Sequence, residues 1–411
     1  MKLTYNFIIP YNKEIYDLCK VSKNLYNQAL YIVKNELKEN NKWLSYYDLC
    51  KMMPNVVNLE GNINFRLLKC HVSQQCLRVL DADIKSYIKL IKDWSKNPSK
   101  YKGKPKFPKY KKDEVNLLIY PNDTCTIKKD GFIHLSKKDN LKIHIPQFEK
   151  YYNKIKNFNQ VRIMPLLDKS FKVEIIYDCK EELNPNLNYD LYSSIDLGVD
   201  NLVTMVLPDE KPLLFNGKQV KSKNQYFNKT ISKLKSKLQK GVFTSKRIQR
   251  LWVKRDNYLN DFFHKLTRIV VRTLINNGVG NIVVGYNRGW KDSIRISSRN
   301  NQTFVSIPHL KMLKMLQYKC ELAGINVIVN EESYTSKCDS LVLEPVCKRE
   351  SYLGKRVKRG LFQSSVGKLL NADVNGALNI LRKVVGDSDL VERIINSGRL
   401  CRPKRIDVFS L

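Results

Sequence analysis

The amino-acid sequence predicts a multidomain α+β protein: a small β-barrel or sandwich broken by a helical block, followed by an α/β half. Three observations carry this. Apolar residues recur at helical spacing from about Ile15 to Leu37 and again through Val72 to Ile88. The period then shortens to alternating runs between Val115 and Asp178. Beyond Tyr192, apolar strands alternate with helical patterns. A chain of 411 residues has room for two or three such domains.

KLTYNFIIP reads as one strand, and Leu18, Cys19, Leu25, Tyr26, Ala29, Leu30 and Val33 line one face of the helix that follows. Val72, Cys76, Val79, Leu80, Ile84, Tyr87 and Ile88 line a second. This helical block, residues 13–112, ends in KNPSKYKGKPKFPKYKK, where eight lysines from Lys96 to Lys112 are interleaved with Tyr101, Phe107 and Tyr110. Its prolines and glycine forbid a continuous helix. The segment is either a solvated linker or a nucleic-acid contact, with Lys102, Lys104, Lys106, Lys109 and Lys111 for phosphates and Tyr110 for stacking. NLLIYP, TCTIKK, FIHLSK, LKIHIP, QVRIMPL and FKVEIIYD are then short strands, with a hairpin turn at Asp130-Gly131. Residues 1–12 and 113–182 thus belong together, with the helices inserted between them, and EELNPNLNYD reads as a linker.

The remainder, residues 183–411, is organised around YSSIDLGVDNLVTMVLP, two strands joined by a turn near Gly198. Asp196 is either a turn former or a carboxylate held among apolar strands, which is costly without a cation or donor. Two basic helices follow. NIVVGYN reads as a buried strand, SIPHLKMLKMLQYKCELAG as a helix with Pro308 at its start and Gly324 past its end, and INVIVN as another strand. Glu331 and Glu332 stand directly after it. In LLNADVNGALNILRK, Asp373 opens an amphipathic helix, as an ordinary first-turn acid or as a ligand. Three acids from three elements are what two-metal phosphoryl transfer needs, since Mg²⁺ takes hard oxygen ligands and keeps positions open for water and phosphate.

Lys and Arg total 73 against 39 Asp and Glu, a formal charge of +34, for which nucleic acid is the natural counterpart. No apolar run approaches the ~20 residues of a spanning helix, and a soluble, intracellular protein without a membrane partner is expected. The ten cysteines show no paired pattern, which suits free thiols in a reducing compartment. No P-loop, GxSxG elbow or internal repeat is present.

The stretches KGKPKFPKYKK, SSIDLGVDNLVT, NIVVGYNRGWK, EESYTSKC and NADVNGALNILRK resemble the TnpB proteins of bacterial insertion sequences, relatives of the type V CRISPR effectors and of Fanzor proteins. The resemblance implies an amino-terminal β-barrel interrupted by a helical recognition domain, then an RNase H-like (RuvC) nuclease domain. It implies a guide-RNA-directed, Mg²⁺-dependent DNA endonuclease, with Mn²⁺ as a substitute, acting in the bacterial cytoplasm or nucleoid on double-stranded DNA beside a short adjacent motif. A functional link to the element's transposase follows. Asp196 and Asp373 match the first and last catalytic acids. Many relatives carry a glutamate after the strand equivalent to NIVV, where this sequence has Gly285; Glu332 looks like that glutamate relocated, with Glu331 as the alternative. Arg288, Trp290 and Lys291 of GYNRGWK are further candidate nucleic-acid contacts. Relatives often hold zinc with two CxxC pairs, but over residues 338–370 only Cys338 and Cys347 occur, and the position three after Cys338 is Leu341. No zinc is expected there. Lys355, Arg356, Lys358 and Arg359 make the same region basic. Two other readings compete: an RNA-guided repressor with a decayed nuclease site, which the missing acid at Gly285 favours, and a transposase acting without RNA.

Overall fold

In the computed structural model, which describes residues 2–101, 103–153, 155–179, 186–287, 302 and 305–409, the helical spacing of the first hundred residues becomes two long helices. They are α1 (Lys13–Glu39) and α4 (Cys70–Lys96), with the short α2 (Tyr46–Met52) and α3 (Asn64–Leu67) between them. Asn12 starts α1 by accepting from the Ile15 amide, and a reciprocal Ser45–Asp48 capping box starts α2. The chain divides into two compact units, Met1–Lys180 and Glu181–Leu411.

In the first unit the helices lie between β1 (Lys2–Ile9) and β2 (Leu118–Pro121). There follow β3 (Thr126–Ile127), β4 (Phe132–His134), β5 (Lys142–His144), the short α5 (Phe148–Tyr152), β6 (Ile155–Pro165) and β7 (Phe171–Cys179). Gly131, at φ +82°, turns the chain from β3 into β4 as the Asp-Gly pair predicts. Helices and strands share one core, in which Leu25, Leu30, Leu77 and Leu80 pack with Tyr120, Val161, Phe171 and Ile175. The expected barrel is not found closed. Among the described residues the strands form a four-stranded sheet, β1-β7-β6-β2, and a separate three-stranded one, β3-β4-β5. Closure needs continuous pairing around the ring, and β2 stops at Pro121 while β3 is only two residues long.

In the second unit β8 (Asn188–Asp196), β9 (Asn201–Val206) and β10 (Leu213–Asn216) form an antiparallel meander. The strand β8 takes up the last residues of the stretch read as a linker; residues 181–185 of it lie outside the described residues. After α6 (Lys218–Lys235) and α7 (Lys246–Asn276) comes β11 (Val279–Gly285), parallel to β8, and after α8 (His309–Leu322) comes β12 (Asn326–Asn330), parallel to β11. A hairpin region, β13 (Lys355–Lys358), β14 (Leu361–Gln363) and β15 (Leu369–Asn371), leads into α9 (Ala372–Val385), α10 (Asp389–Asn396) and β16 (Lys404–Ile406). The six-stranded sheet runs β12-β11-β8-β9-β10-β16. Both its faces are covered. Ile282 and Val284 pack with Phe262 and Leu266 of α7, whereas the intervening Val283 packs with Val374, Leu378 and Leu381 of α9. Burial on both sides is why Ile282, Val283 and Val284 of β11 are successive apolar residues. No helix among the described residues is long and apolar enough to cross a membrane.

Candidate active site

Asp196 is the last residue of β8, opposite Thr204 of β9. Asp373 lies in the first turn of α9, whose cap Asn371 accepts from the amides of Asp373 and Val374. Two close approaches bring these acids together. Ser194 Oγ donates to the Ala377 carbonyl at 2.6 Å, pinning α9 to β8. At Gly376 an added Cβ would come within 3.0 Å of Asp196 Oδ2, so glycine lets the helix lie this near without displacing the carboxylate. Asn201 Nδ2 donates to Asp373 Oδ2 at 2.8 Å, and the Arg356 guanidinium stands 3.8 Å from Asp373 Oδ1.

The two glutamates after β12 part company. Glu331 is exposed, pairs with Lys383 at 2.9 Å and accepts from Ser333. Glu332 turns inward, its amide held by Asn287 Oδ1 at 3.0 Å, and its buried Oε2 has no hydrogen-bond partner among the described residues. That oxygen lies where Gly285 has no side chain: a Cβ built there would meet Glu332 Oε2 at 2.9 Å and Ile380 Cδ1 at 2.4 Å. The space beside the end of β11 is therefore filled by an acid from the neighbouring strand's end. Burial pushes the Glu332 carboxyl up to about 7, the Glu331 charge adding to it and Lys383 opposing. Asp196 is raised well above the usual carboxylate range, first by burial, then by the charges of Asp373 and Glu332, with Arg356 pulling the other way. Asp196 thus senses the charges of both other acids. Among the described residues no three of them yet stand at the spacing that encloses one ion.

Asp373 opens onto a cleft of about 780 Å³ lined also by Asn201, Lys218, Lys221, Arg356, Arg359 and Arg405. Arg359 reaches Asp200 at 2.5 Å, and Lys221 reaches the same carboxylate at 2.9 Å. Lys355 and Lys358 are exposed on the same hairpin. Asn201, Lys218, Lys221 and Arg405 were not legible as site residues, since each sits in an unremarkable polar or basic run; the turn after Asp196 was the one signal that pointed to Asn201. Lys102, Arg288, Trp290 and Lys291 lie outside the described residues. In the first unit Lys104, Lys106 and Lys109 are exposed. Phe107 packs inward, meeting Tyr87 at 5.1 Å and Trp43 at 6.5 Å, whereas Tyr110 stays exposed with the Lys34 ammonium 4.1 Å over its ring. Asn27 exchanges hydrogen bonds with both backbone groups of Lys111, whose ammonium lies over Tyr26.

The chain is similar to known proteins over several stretches. Residues 174–291 match the OrfB_IS605 family, described as a probable transposase, and residues 309–380 match the Cas12f1-like TNB domain. The chain is TnpB-like. The TnpB-like protein ORF457 of Acidianus two-tailed virus is 27% identical over 205 residues, 47% of this chain and 42% of that protein. The match therefore spans less than half the length of that relative. A Cas12f1 structure, solved as a complex with a single-guide RNA and target DNA, superimposes with a TM-score of 0.53 at 14% identity over 89% of this chain and 82% of that one. At that identity the likeness is one of fold.

Proposed function

We propose that this protein is an RNA-guided DNA endonuclease of a transposable element, hydrolysing phosphodiester bonds with divalent cations held by Asp196, Glu332 and Asp373. The observation that carries the reading is the inward turn of Glu332 into the space at Gly285, where its charge and that of Asp373 both raise the Asp196 carboxyl. The donor set fits Mg²⁺ or Mn²⁺: it is made of hard carboxylate oxygens, one of them buried with no partner among the described residues. Mg²⁺ keeps several waters and does not require a closed protein cage. Bound there, such ions would stabilise the attacking and leaving oxygens of an in-line displacement.

The chain's own groups supply the rest. Asn201 orients the Asp373 carboxylate, and Lys218, Lys221, Arg356, Arg359 and Arg405 give the adjoining cleft the charge to draw in a phosphodiester backbone. Arginine is suited to this, since its planar fork matches phosphate oxygens. In this reading the first unit grips the guide RNA and the target duplex beside its adjacent motif, base pairing by the RNA supplies sequence choice, and the element's transposase is a functional partner. The repressor reading is not favoured, because the acid missing at Gly285 is supplied by Glu332. Sequencing the RNA that copurifies with the protein, then assaying cleavage of a matching duplex with and without Mg²⁺, tests the proposal. Absence of bound RNA, or an inactive wild type with a matched guide and target, would overturn it.

A further inference from the structure

We propose that Asp339 is a positioning residue for the active site: with Glu344 it ties the β13–β14 hairpin to α9 and so holds Arg356 and Arg359 at the cleft. The inference rests on the nuclease reading above.

Asp339 and Glu344 are 0% and 1% exposed, and buried carboxylates are costly unless donors surround them. Both are surrounded. Asp339 accepts from the Leu341 amide at 3.1 Å on one oxygen. On the other it accepts from Ser364 Oγ at 2.7 Å and from the amide and Oγ of Ser365 at 2.7 and 3.1 Å. These serines directly follow β14. Glu344 accepts from the Asp339 amide at 2.7 Å and from the Leu353 amide, just ahead of β13, at 3.1 Å. Two carboxylates therefore clasp both roots of the hairpin.

The helix that carries Asp373 holds the clasp. Asn375 accepts from the Ser340 amide at 3.1 Å and donates to the Cys338 carbonyl at 2.9 Å. Asn379 donates to the carbonyls of Thr335 and Cys338 at 2.8 and 2.7 Å. Arg382 donates to the Glu344 carbonyl at 3.0 Å and to Asn379 Oδ1 at 2.7 Å. Four and three residues apart, these side chains share one face of α9. Phe362 of β14, 1% exposed, packs with Leu370 and Ala372 and completes the attachment. The path closes on itself: α9, the 335–344 loop, the hairpin, then Arg356 back to Asp373. Charge-assisted hydrogen bonds thereby do the cross-linking that an ion held by thiolates does in a ribbon.

The test is a double-mutant cycle on the full-length protein with its guide RNA. Asp339→Asn keeps the shape but turns one acceptor into a donor facing donors. Cleavage should slow about tenfold or more, as small displacements of an aligning group do, while guide-RNA affinity is unchanged. Arg356→Ala should slow cleavage by itself, and adding Asp339→Asn to it should cost little more, because the two act through one contact. Fully additive losses, or a wild-type rate for Asp339→Asn, would overturn the proposal. If Asp339→Asn does not fold, Ser365→Ala enters the same cycle with the same two outcomes. Should the wild type itself not cleave, the nuclease reading fails alone, and amide exchange still reads the clasp. Lost protection at Leu353 and Ser365 in the variant supports it; unchanged protection overturns it.

Discussion

Residues 96–112 of the first unit and residues 355–359 of the second are both short basic stretches, yet the fold uses them differently. In the first, aromatics anchor the chain from within: Phe107 meets Tyr87 and Trp43, Asn27 holds the backbone of Lys111, and Lys104, Lys106 and Lys109 are left exposed. In the second, the arginines already lie on carboxylates, Arg356 near Asp373 and Arg359 on Asp200. An exposed row of lysines is suited to holding a polyanion. Guanidinium groups already paired with carboxylates would have to exchange partners when a phosphate arrives, which under the proposed function ties them to the cleft. Composition alone does not distinguish the two; partners do.

The largest effect that sharpens this contrast should come from the acids beneath the arginines. Asp196→Ala, Asp373→Ala or Glu332→Ala should abolish Mg²⁺-dependent cleavage while leaving guide and target binding largely intact, as paired cleavage and binding assays would read. Glu331→Ala should be mild, because its partner is Lys383. An active Glu332→Ala beside an active Glu331→Ala would break the assignment. Next in size, Lys104→Ala, Lys106→Ala and Lys109→Ala combined should weaken guide-RNA binding and flatten its salt dependence, by about 0.7 in the logarithmic slope for each phosphate no longer neutralised. An unchanged slope in a salt series would remove these lysines from the interface. The smallest effect belongs to Phe107→Ala. Every charge remains, so the slope should hold while affinity falls a few-fold, because the strap must then be ordered at the moment of binding. A changed slope would mean that Phe107 contacts the RNA itself.

Much of the site was legible because its constraints are local. Asp196 ends the first strand of a strand–turn–strand pattern and Asp373 opens an amphipathic helix, and both patterns survive in the fold. The buried β11 was equally plain, since covering both faces of a strand demands successive apolar residues. The sheet of residues 355–371 was not, because its strands are three or four residues long and β13 is wholly exposed, which leaves no alternation to read. Asp339 and Glu344 escape notice for another reason. In a short stretch between two cysteines they match no motif, and only their burial reveals them. A closed barrel does not follow from strand count, which says nothing about whether edge strands are long enough to pair. Aromatics among lysines suggest stacking surfaces, whereas Phe107 is spent on attaching the segment to its own unit.

The occupancy of the space beside Gly285 carries one more consequence. An acid rooted in β11 and one rooted beyond β12 would compete for the same small volume, because a side chain at position 285 runs into Glu332 Oε2 and Ile380 within its first carbon. The two arrangements hinder one another. Gly285→Glu alone should therefore damage the protein, as seen in a lowered melting temperature, whereas the exchange Gly285→Glu with Glu332→Ala relieves the clash with the carboxylate and leaves only Ile380 to shift. Moving the carboxylate between strands is thus a reciprocal swap at two positions 47 residues apart in sequence (332 less 285), and each half-step passes through a state with either two acids in one space or none.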